Sequence, residues 1–348
     1  EEPKSKVKGV STSLAARATL NANGLDVARL MPQTLAIALP RLPAAISRSG
    51  VSREARMALR QLLDDNDRQL AEAFRAGANV DELTHARADA VERIVVHAWT
   101  ACIGDADAAA LLAVGGFGRA ELFPHSDVDL LVLCDQPPTG PMSRALEAFF
   151  ACLWDIGLKP GHAVRTLAEC REHAGADASV YTSLFDARRI AGAASFDAAL
   201  AALLEDDAVW SKQRYLGARR GDRDARHARF NDTAYNLEPN LKDGPGGLRA
   251  AQTILWLGRR LFAATNFSTL GKCGMLAAAE VAAIEASRHL LAGMRFALHL
   301  AAGRAEERLL FDYQRALAVQ FGFADEHREK LAVEPFMQGY YRDRKSVV

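Results

Sequence analysis

The sequence predicts an α+β fold, in which a small β-sheet lies between N-terminal helices and a C-terminal α-helical domain. Helix-forming residues at helical spacing dominate residues 52–102 and return from about residue 179 onward. Between these regions, residues 111–114 and 128–133 are apolar runs of the length of buried strands. The chain of 348 residues also exceeds the usual size of a single core, which favours two or three packed units.

Local composition divides the chain into four expected segments. Pro32 and Pro40 interrupt the first segment, which we expect to be a loosely ordered leader. The two apolar runs of the third segment are predicted to be neighbouring strands, with a third strand at residues 162–167 after a helix that Ser143 caps. The segments are the leader (1–45), a helical segment (46–105), the sheet domain (106–200) and the α-helical domain (201–348).

The charge and cysteine content exclude several classes of protein. Lys plus Arg and Asp plus Glu both number 43, so no broad positive field favours nucleic acid or an anionic membrane, and neither is an expected partner. No uncharged apolar run has the length that a bilayer span needs. The five cysteines are scattered and never spaced as CxxC, which argues against a disulfide framework or a zinc site and favours the reducing cytoplasm.

A glycine-rich turn follows the first predicted strand. Gly115 and Gly116 lack a Cβ, so the backbone there can turn sharply and approach a phosphate closely. Residues 117–122 are expected to form one or two helical turns whose first N–H groups point toward that anion. A dinucleotide-binding fingerprint is the alternative, but Glu121 stands where its third glycine is needed and no βαβ unit follows. The segment therefore predicts a triphosphate site.

Two aspartates open the second predicted strand. Because successive side chains of a strand alternate between faces, Asp127 and Asp129 are expected to share an edge while Val128 faces away. Two carboxylates so close repel each other unless a cation compensates them. Mg²⁺ is typically held by one or two carboxylates plus substrate phosphates. A bare Asp-x-Asp is more often a solvated pair at a strand end, but the glycine turn upstream favours a magnesium site.

A polar loop at residues 235–249 interrupts the helical half of the chain. Asn236 offers an amide group, and Lys242 and Arg249 offer cations beside a Pro-Gly-Gly turn, so the loop can close over a nucleotide. The alternative is an interdomain turn in which Lys242 and Arg249 form structural ion pairs.

Residues 114–116 and 127–129, Val-Gly-Gly and Asp-Val-Asp, resemble the signature of the DNA polymerase beta-like nucleotidyltransferase superfamily. Four longer segments resemble, more narrowly, the family of bifunctional PII uridylyltransferase/uridylyl-removing enzymes. The likeness extends from about residue 52 to residue 341. The segments read GGFGRAEL (115–122), PHSDVDLL (124–131), LWDIGLKPGHAVRT (153–166) and YNLEPNLKDGPGGLR (235–249).

The resemblance implies a nucleotidyltransferase domain with a mixed sheet, followed by an associated α-helical domain. It implies transfer of UMP from UTP to a tyrosine of the PII nitrogen-regulatory protein, with release of pyrophosphate. Two Mg²⁺ ions, roughly 3.5–4 Å apart in such sites, stabilise the attacking and leaving oxygens. Asp127 and Asp129 are the expected catalytic and metal-binding residues, and the expected nucleotide-binding residues are Gly115, Gly116, Ser126, Asn236, Lys242 and Arg249.

Several features leave alternatives open. Superfamily members often place a third carboxylate on a later strand, but residues 162–167 hold none and Glu169 lies just beyond, so that ligand stays unassigned. Ala250 stands where the family usually has Asp, and Arg119 and Glu121 are interpreted as structural. The family continues into an HD hydrolase domain and two ACT domains, so we expect a fragment without uridylyl-removing activity. A protein nucleotidyltransferase that adenylylates its target and a catalytically silent nucleotide-binding module are the other hypotheses.

Overall fold

The computed structural model describes residues 51–104, 107–231, 233, 236–325 and 331–344. The predicted leader at residues 1–45 lies outside this part of the chain. The helices are α1 (Arg53–Arg75), α2 (Val80–Cys102), α3 (Gly115–Gly118), α4 (Gly140–Ile156), α5 (Leu167–Ala176), α6 (Ala178–Phe185), α7 (Ser195–Glu205), α8 (Lys212–Ala228), α9 (Leu248–Phe262), α10 (Phe267–Lys272), α11 (Ala278–Ala302), α12 (Phe311–Gln320) and α13 (Val333–Arg344). The strands are β1 (Ala109–Ala113), β2 (Val128–Cys134), β3 (Pro160–Thr166) and β4 (Arg188–Gly192).

The four strands form one mixed sheet in the order β3-β2-β1-β4. Strand β1 pairs antiparallel with β2 and β4, whereas β2 and β3 run parallel, with Asp129 opposite Gly161. Every residue of β1 is buried, as the uninterrupted apolar sequence of that strand requires. The α+β class and the mixed sheet are therefore both confirmed.

Helices cover both faces of the sheet. On one face, α1, α2 and α4 pack against Leu111, Leu130 and Val132, and Trp99 meets Phe149 edge to face with ring centroids 5.4 Å apart. On the other face, α5 to α8 pack against the alternate residues of β1 and β2. Burial on both faces explains why these strands consist of apolar residues instead of alternating apolar and polar ones.

The C-terminal helices form a second core around α11. The end of α1 belongs to this core, where the rings of Phe74 and Phe296 lie 4.7 Å apart. The fully buried His299 of α11 also contacts the carbonyl of Pro124, with Nδ1 at 2.5 Å from the oxygen. Because Pro124 lies just before β2, this contact attaches the segment that carries Asp127 to the helical domain.

Three local predictions have clear outcomes. The third strand is confirmed at β3, but β4 lies in a region that was expected to be helical from residue 179 onward, and that expectation is wrong. Strand β4 is short and carries two arginines, so its apolar pattern is weak, and pairing with β1 determines its conformation. The predicted N-cap is also wrong: α4 begins after Thr139, while Ser143 Oγ contacts Glu147. Among the described helices, none combines the length and the apolar character that crossing a bilayer requires.

Candidate functional site

A cleft of about 430 Å³ lies where the sheet domain meets the helical domain. One part of its lining, which we call the sheet wall, comes from the turn after β1 and the start of β2. Another part, the helical wall, comes from α8 and its C-terminal end, the loop before α9, the first turn of α9, and α11. The sheet wall includes Gly115, Gly116, Ser126, Asp127 and Asp129, and the cations of the helical wall are Arg219, Arg226, Arg229, Lys242, Arg249 and Arg295.

The turn after β1 depends on glycine at two positions. Gly115 has φ +58°, a left-handed conformation that residues with a Cβ adopt at a cost. A Cβ on Gly118 would lie 2.0 Å from the carbonyl oxygen of Asp186, so only glycine fits between β1 and the segment before β4. The helical turn α3 begins at Gly115 and ends at Gly118, so the helix expected at residues 117–122 is wrong. The turn forms earlier because the left-handed Gly115 reverses the chain at once.

The two aspartates line the same cleft but differ in burial. Asp127 lies just before β2 and is exposed, whereas Asp129 is the second residue of β2 and is half-buried. Two glycines flank the Asp129 carboxylate: a Cβ on Gly115 would lie 3.0 Å from Oδ2, and one on Gly161 would lie 2.6 Å from Oδ1. Gly161 was not among the expected site residues, although it directly opposes Asp129 in the parallel pair β2–β3.

The environment of Asp129 favours a bound cation. Burial and the neighbouring charge of Asp127 raise the pKa of the Asp129 carboxyl, and Lys242 and Arg119 offset only part of that rise. Within the described part of the chain, neither aspartate has a cationic nitrogen within ion-pair distance, and no group of three or more His, Cys, Asp or Glu side chains is placed to hold a metal. Two carboxylates with an open side suit Mg²⁺, whose other ligands are water and phosphate. The residues therefore fit the ion that the resemblance implies.

Glu169 does not supply the third carboxylate. Its side chain accepts a hydrogen bond from the N–H of Thr166 at 2.7 Å, and the Thr166 hydroxyl accepts one from the N–H of Glu169. These two bonds form a capping box at the start of α5, outside the lining of the cleft.

The loop before α9 and the first turn of α9 each bring one cation to the cleft. Lys242 Nζ lies 4.0 Å from Glu307, and Arg249 Nε lies 3.3 Å from Asp243. Burial, followed by repulsion from Arg295, lowers the pKa of Lys242. Residues 235–249 therefore have features of both interpretations, because Lys242 and Arg249 form ion pairs and also line the cleft.

Asn236 is not brought to the cleft. Its Oδ1 accepts a hydrogen bond from the N–H of Glu238 at 3.2 Å, and its carbonyl accepts one from the Tyr341 hydroxyl at 2.9 Å. The residue shapes the start of the loop, whereas Ser126 does line the cleft.

A buried ion-pair network supports the turn after β1. Arg119 donates to Glu121 at 3.0 Å and to Asp186 at 2.6 Å, and Trp256 Nε1 donates to Asp186 at 3.2 Å. The Asp186 side chain is 8% exposed, so its charge depends on these donors. The contacts agree with the structural interpretation of Arg119 and Glu121. Asp186 and Trp256 were missed, because they lie 67 or more residues from the turn in sequence and only the fold unites them.

Helix α8 contributes arginines that the sequence interpretation also missed. Arg219, Arg226 and Arg229 line the cleft together with Asp222. Their spacing of three, four and three residues places all four on one face of the helix. That spacing was the available signal, although helical periodicity alone cannot show which face meets a cleft.

Comparisons with known proteins show which sequences this chain resembles. The sequence profile of the family described as GlnD PII-uridylyltransferase matches residues 214–348. The chain is 44% identical to the bifunctional uridylyltransferase/uridylyl-removing enzyme of Stutzerimonas stutzeri over 284 residues, which cover 81% of this chain and 31% of that protein. It is 46% identical to the enzyme of the same name from Xanthomonas campestris pv. campestris over 283 residues, which cover 81% of this chain and 32% of that protein. The chain thus spans about a third of the length of these relatives.

Proposed function

We propose that this chain transfers UMP from UTP to a tyrosine hydroxyl of the PII nitrogen-regulatory protein. Over the shared region, the chain belongs to the family of bifunctional uridylyltransferase/uridylyl-removing enzymes. The observation that carries the proposal is the distribution of charge in the cleft. Asp127 and Asp129 have no cationic partner within ion-pair distance among the described residues, while the helical wall carries six cations against three carboxylates, Asp222, Asp243 and Glu307. A magnesium–nucleotide complex complements both walls, because its metal is positive and its phosphates are negative.

Each wall has a separate task in this proposal. The backbone at Gly115 and Gly116, with the Ser126 hydroxyl, holds the phosphates next to β2. Lys242 from the loop before α9 and Arg249 from the first turn of α9 neutralise phosphate charge. Asp127 and Asp129 would hold Mg²⁺ at the α-phosphate. Asn236 is omitted from this set, because its side chain caps the loop outside the cleft.

The reaction exchanges one phosphorus–oxygen bond for another. The tyrosine oxygen forms a bond to the α-phosphorus of UTP, and the bond from that phosphorus to the oxygen bridging to the β-phosphate breaks. The electron pair leaves with pyrophosphate, and the phenolic proton passes to water. Bound magnesium would supply Lewis acidity, which lowers the cost of forming a phenolate from a hydroxyl whose ordinary pKa is about 10.

The five cysteines are free thiols, consistent with the cytoplasmic location that we propose.

Mass spectrometry of the acceptor protein tests this function. Purified chain, PII protein, Mg²⁺ and UTP are incubated together, and PII is then weighed intact and after proteolysis. We expect a mass increase of one uridylyl group on a tyrosine peptide, with pyrophosphate released in equal amount. Modification with ATP but not UTP would indicate an adenylyltransferase. Tight binding of UTP with no modified PII under any divalent cation would contradict catalysis and indicate a silent nucleotide-binding module.

A further inference from the structure

We propose that Arg219 and Arg226 of α8 form the subsite for the β- and γ-phosphates of the nucleotide, and hence for the leaving pyrophosphate. The inference rests on the proposed function, since it assigns the polyphosphate of that substrate. Both side chains line the cleft, yet the two residues are only 5% and 4% exposed. A buried guanidinium has lost its hydration and needs other acceptors in its place.

These two arginines lack a full set of hydrogen-bond acceptors. Within the described part of the chain, Nε of Arg219 and Nε of Arg226 have no hydrogen-bond partner. Their shared counter-ion is Asp222, 3.9 Å from Arg219 Nη1 and 3.3 Å from Arg226 Nη1. The Asp222 side chain is itself 39% exposed, so one partly solvated carboxylate serves two buried cations. About one positive charge therefore remains uncompensated, which an anion in the cleft can balance.

The surrounding charges support the same conclusion. Burial lowers the pKa of Arg226, and the nearby cations Arg249 and Arg229 lower it further, against the opposing effects of Asp222 and Asp243. An anion next to this guanidinium would relieve both the repulsion and the loss of hydration. The site is thus electrostatically short of negative charge before any ligand enters.

The fold fixes the orientation of the Arg219 guanidinium. The group lies over the ring of Tyr215, 5.6 Å from its centroid, and the Tyr215 hydroxyl is 2.9 Å from Thr182 Oγ1. A planar guanidinium held in one orientation can donate two parallel hydrogen bonds to a phosphate. Little side-chain freedom is then lost on binding, which favours affinity.

This placement also bears on the reaction. When the bond between the α-phosphorus and the bridging oxygen breaks, the electron pair and its negative charge go to pyrophosphate. Guanidinium groups already positioned at the β- and γ-phosphates stabilise that charge as it develops. Arg219 and Arg226 thus act on the leaving group, whereas Asp127 and Asp129 act at the α-phosphate.

Calorimetric titration of the full chain with inorganic pyrophosphate tests the subsite without any transfer reaction. Arg219→Gln and Arg226→Gln should each weaken binding by about tenfold or more, as expected for loss of a charge-assisted pair. The matched control is Arg223→Gln, because this arginine of α8 is 54% exposed and lies outside the lining of the cleft, and the affinity of this variant should equal that of the wild type. If all three variants bound pyrophosphate as tightly as the wild type, the inference would be overturned.

A second substitution decides the matter if an arginine variant does not fold. Asp222→Asn removes the shared counter-ion and leaves both guanidiniums in place, so pyrophosphate should bind several-fold more tightly. Unchanged or weaker binding by this variant contradicts the proposal. The proposed function fails separately: if PII is never uridylylated but pyrophosphate binding follows the predicted pattern, the subsite stands. If PII is uridylylated while pyrophosphate binds all variants alike, only the subsite is wrong.

Discussion

The two walls of the cleft compensate their charges differently. On the sheet wall, Asp127 and Asp129 have no cation within ion-pair distance in the described chain, and burial together with repulsion from Asp127 raises the pKa of Asp129. On the helical wall, Arg295 and Arg249 contact carboxylates of their own domain. The comparison separates charges that have a partner within the protein from charges that lack one. Substitutions in the two groups should therefore have opposite signatures in stability and activity.

The largest effect is expected from Asp129→Asn. Because this side chain faces the cleft without a cationic partner, its loss should lower uridylyl transfer by about 10³-fold, the upper range for removal of one pre-organised electrostatic group. The free energy of unfolding should not fall, since the repulsion from Asp127 disappears. Transfer is measured by the mass of PII, and unfolding by urea titration.

The matched control is Asp135→Asn, which removes an exposed carboxylate just after the same strand. Its activity should equal that of the wild type. If Asp129→Asn retained activity comparable to this control, the sheet wall would not be the site of transfer.

Removal of a paired charge should destabilise the protein instead. Arg119→Met leaves Asp186 buried without its main cation, and breaking such a pair should lower the free energy of unfolding by about 3 kcal/mol. Urea unfolding of this variant is compared with Arg144→Met, which removes an exposed arginine of α4. Equal stability of the two variants would show that the network around Arg119 does not brace the turn.

A smaller effect on activity is expected from Gly161→Ala. The added Cβ would lie 2.6 Å from Asp129 Oδ1, and the carboxylate can rotate away without moving the backbone. Displacing the Asp129 carboxylate by about 1 Å should lower uridylyl transfer by about 100-fold and leave the free energy of unfolding nearly unchanged. The control is Gly175→Ala in α5, where a Cβ meets nothing within 4 Å. A loss of stability without a loss of transfer would contradict the proposed role of Gly161.

The smallest effect concerns pH. Although burial opposes ionisation, the hydrogen bonds from Arg295 and the nearby His299 imidazole, whose Nε2 lies 3.8 Å from Oε1, lower the pKa of Glu307 from its ordinary 4.5 to about 2. Because the folded pKa is depressed, the stabilisation is complete above the unfolded pKa and is lost as pH falls toward 2. At neutral pH the Glu307→Gln variant should be less stable than the wild type by about 2 kcal/mol, and this difference should shrink as the medium is acidified below about pH 4.5.

Urea titrations at a series of pH values measure that difference. Glu172→Gln, which changes an exposed residue of α5, provides the comparison and should show little pH-dependent difference from the wild type. A Glu307 effect that stays constant down to about pH 3 would mean that the carboxylate is not stabilised by the contacts described.

Prediction from sequence succeeded best where the signal was local. The apolar runs predicted β1 and β2, and the spacing of Asp127 and Asp129 predicted that both would reach one cleft. It failed where a neighbouring element decides the outcome. Strand β4 has a weak apolar pattern and forms because β1 offers it a partner. Gly161 lies beside Asp129 only because β2 and β3 pair in parallel, and the sequence around Gly161 does not indicate that pairing.

The sequence by itself determined the glycine turn, the acidic pair and the cations at residues 242 and 249, because residue type and short spacing limit the kinds of ligand that such groups suit. Only the tertiary structure decided which charges are paired. Asp186 reaches Arg119, and Arg219 with Arg226 reaches the cleft, through contacts between elements that are far apart in the chain. Burial and the position of neighbouring charges set the electrostatics of such groups, and neither is encoded within a single segment.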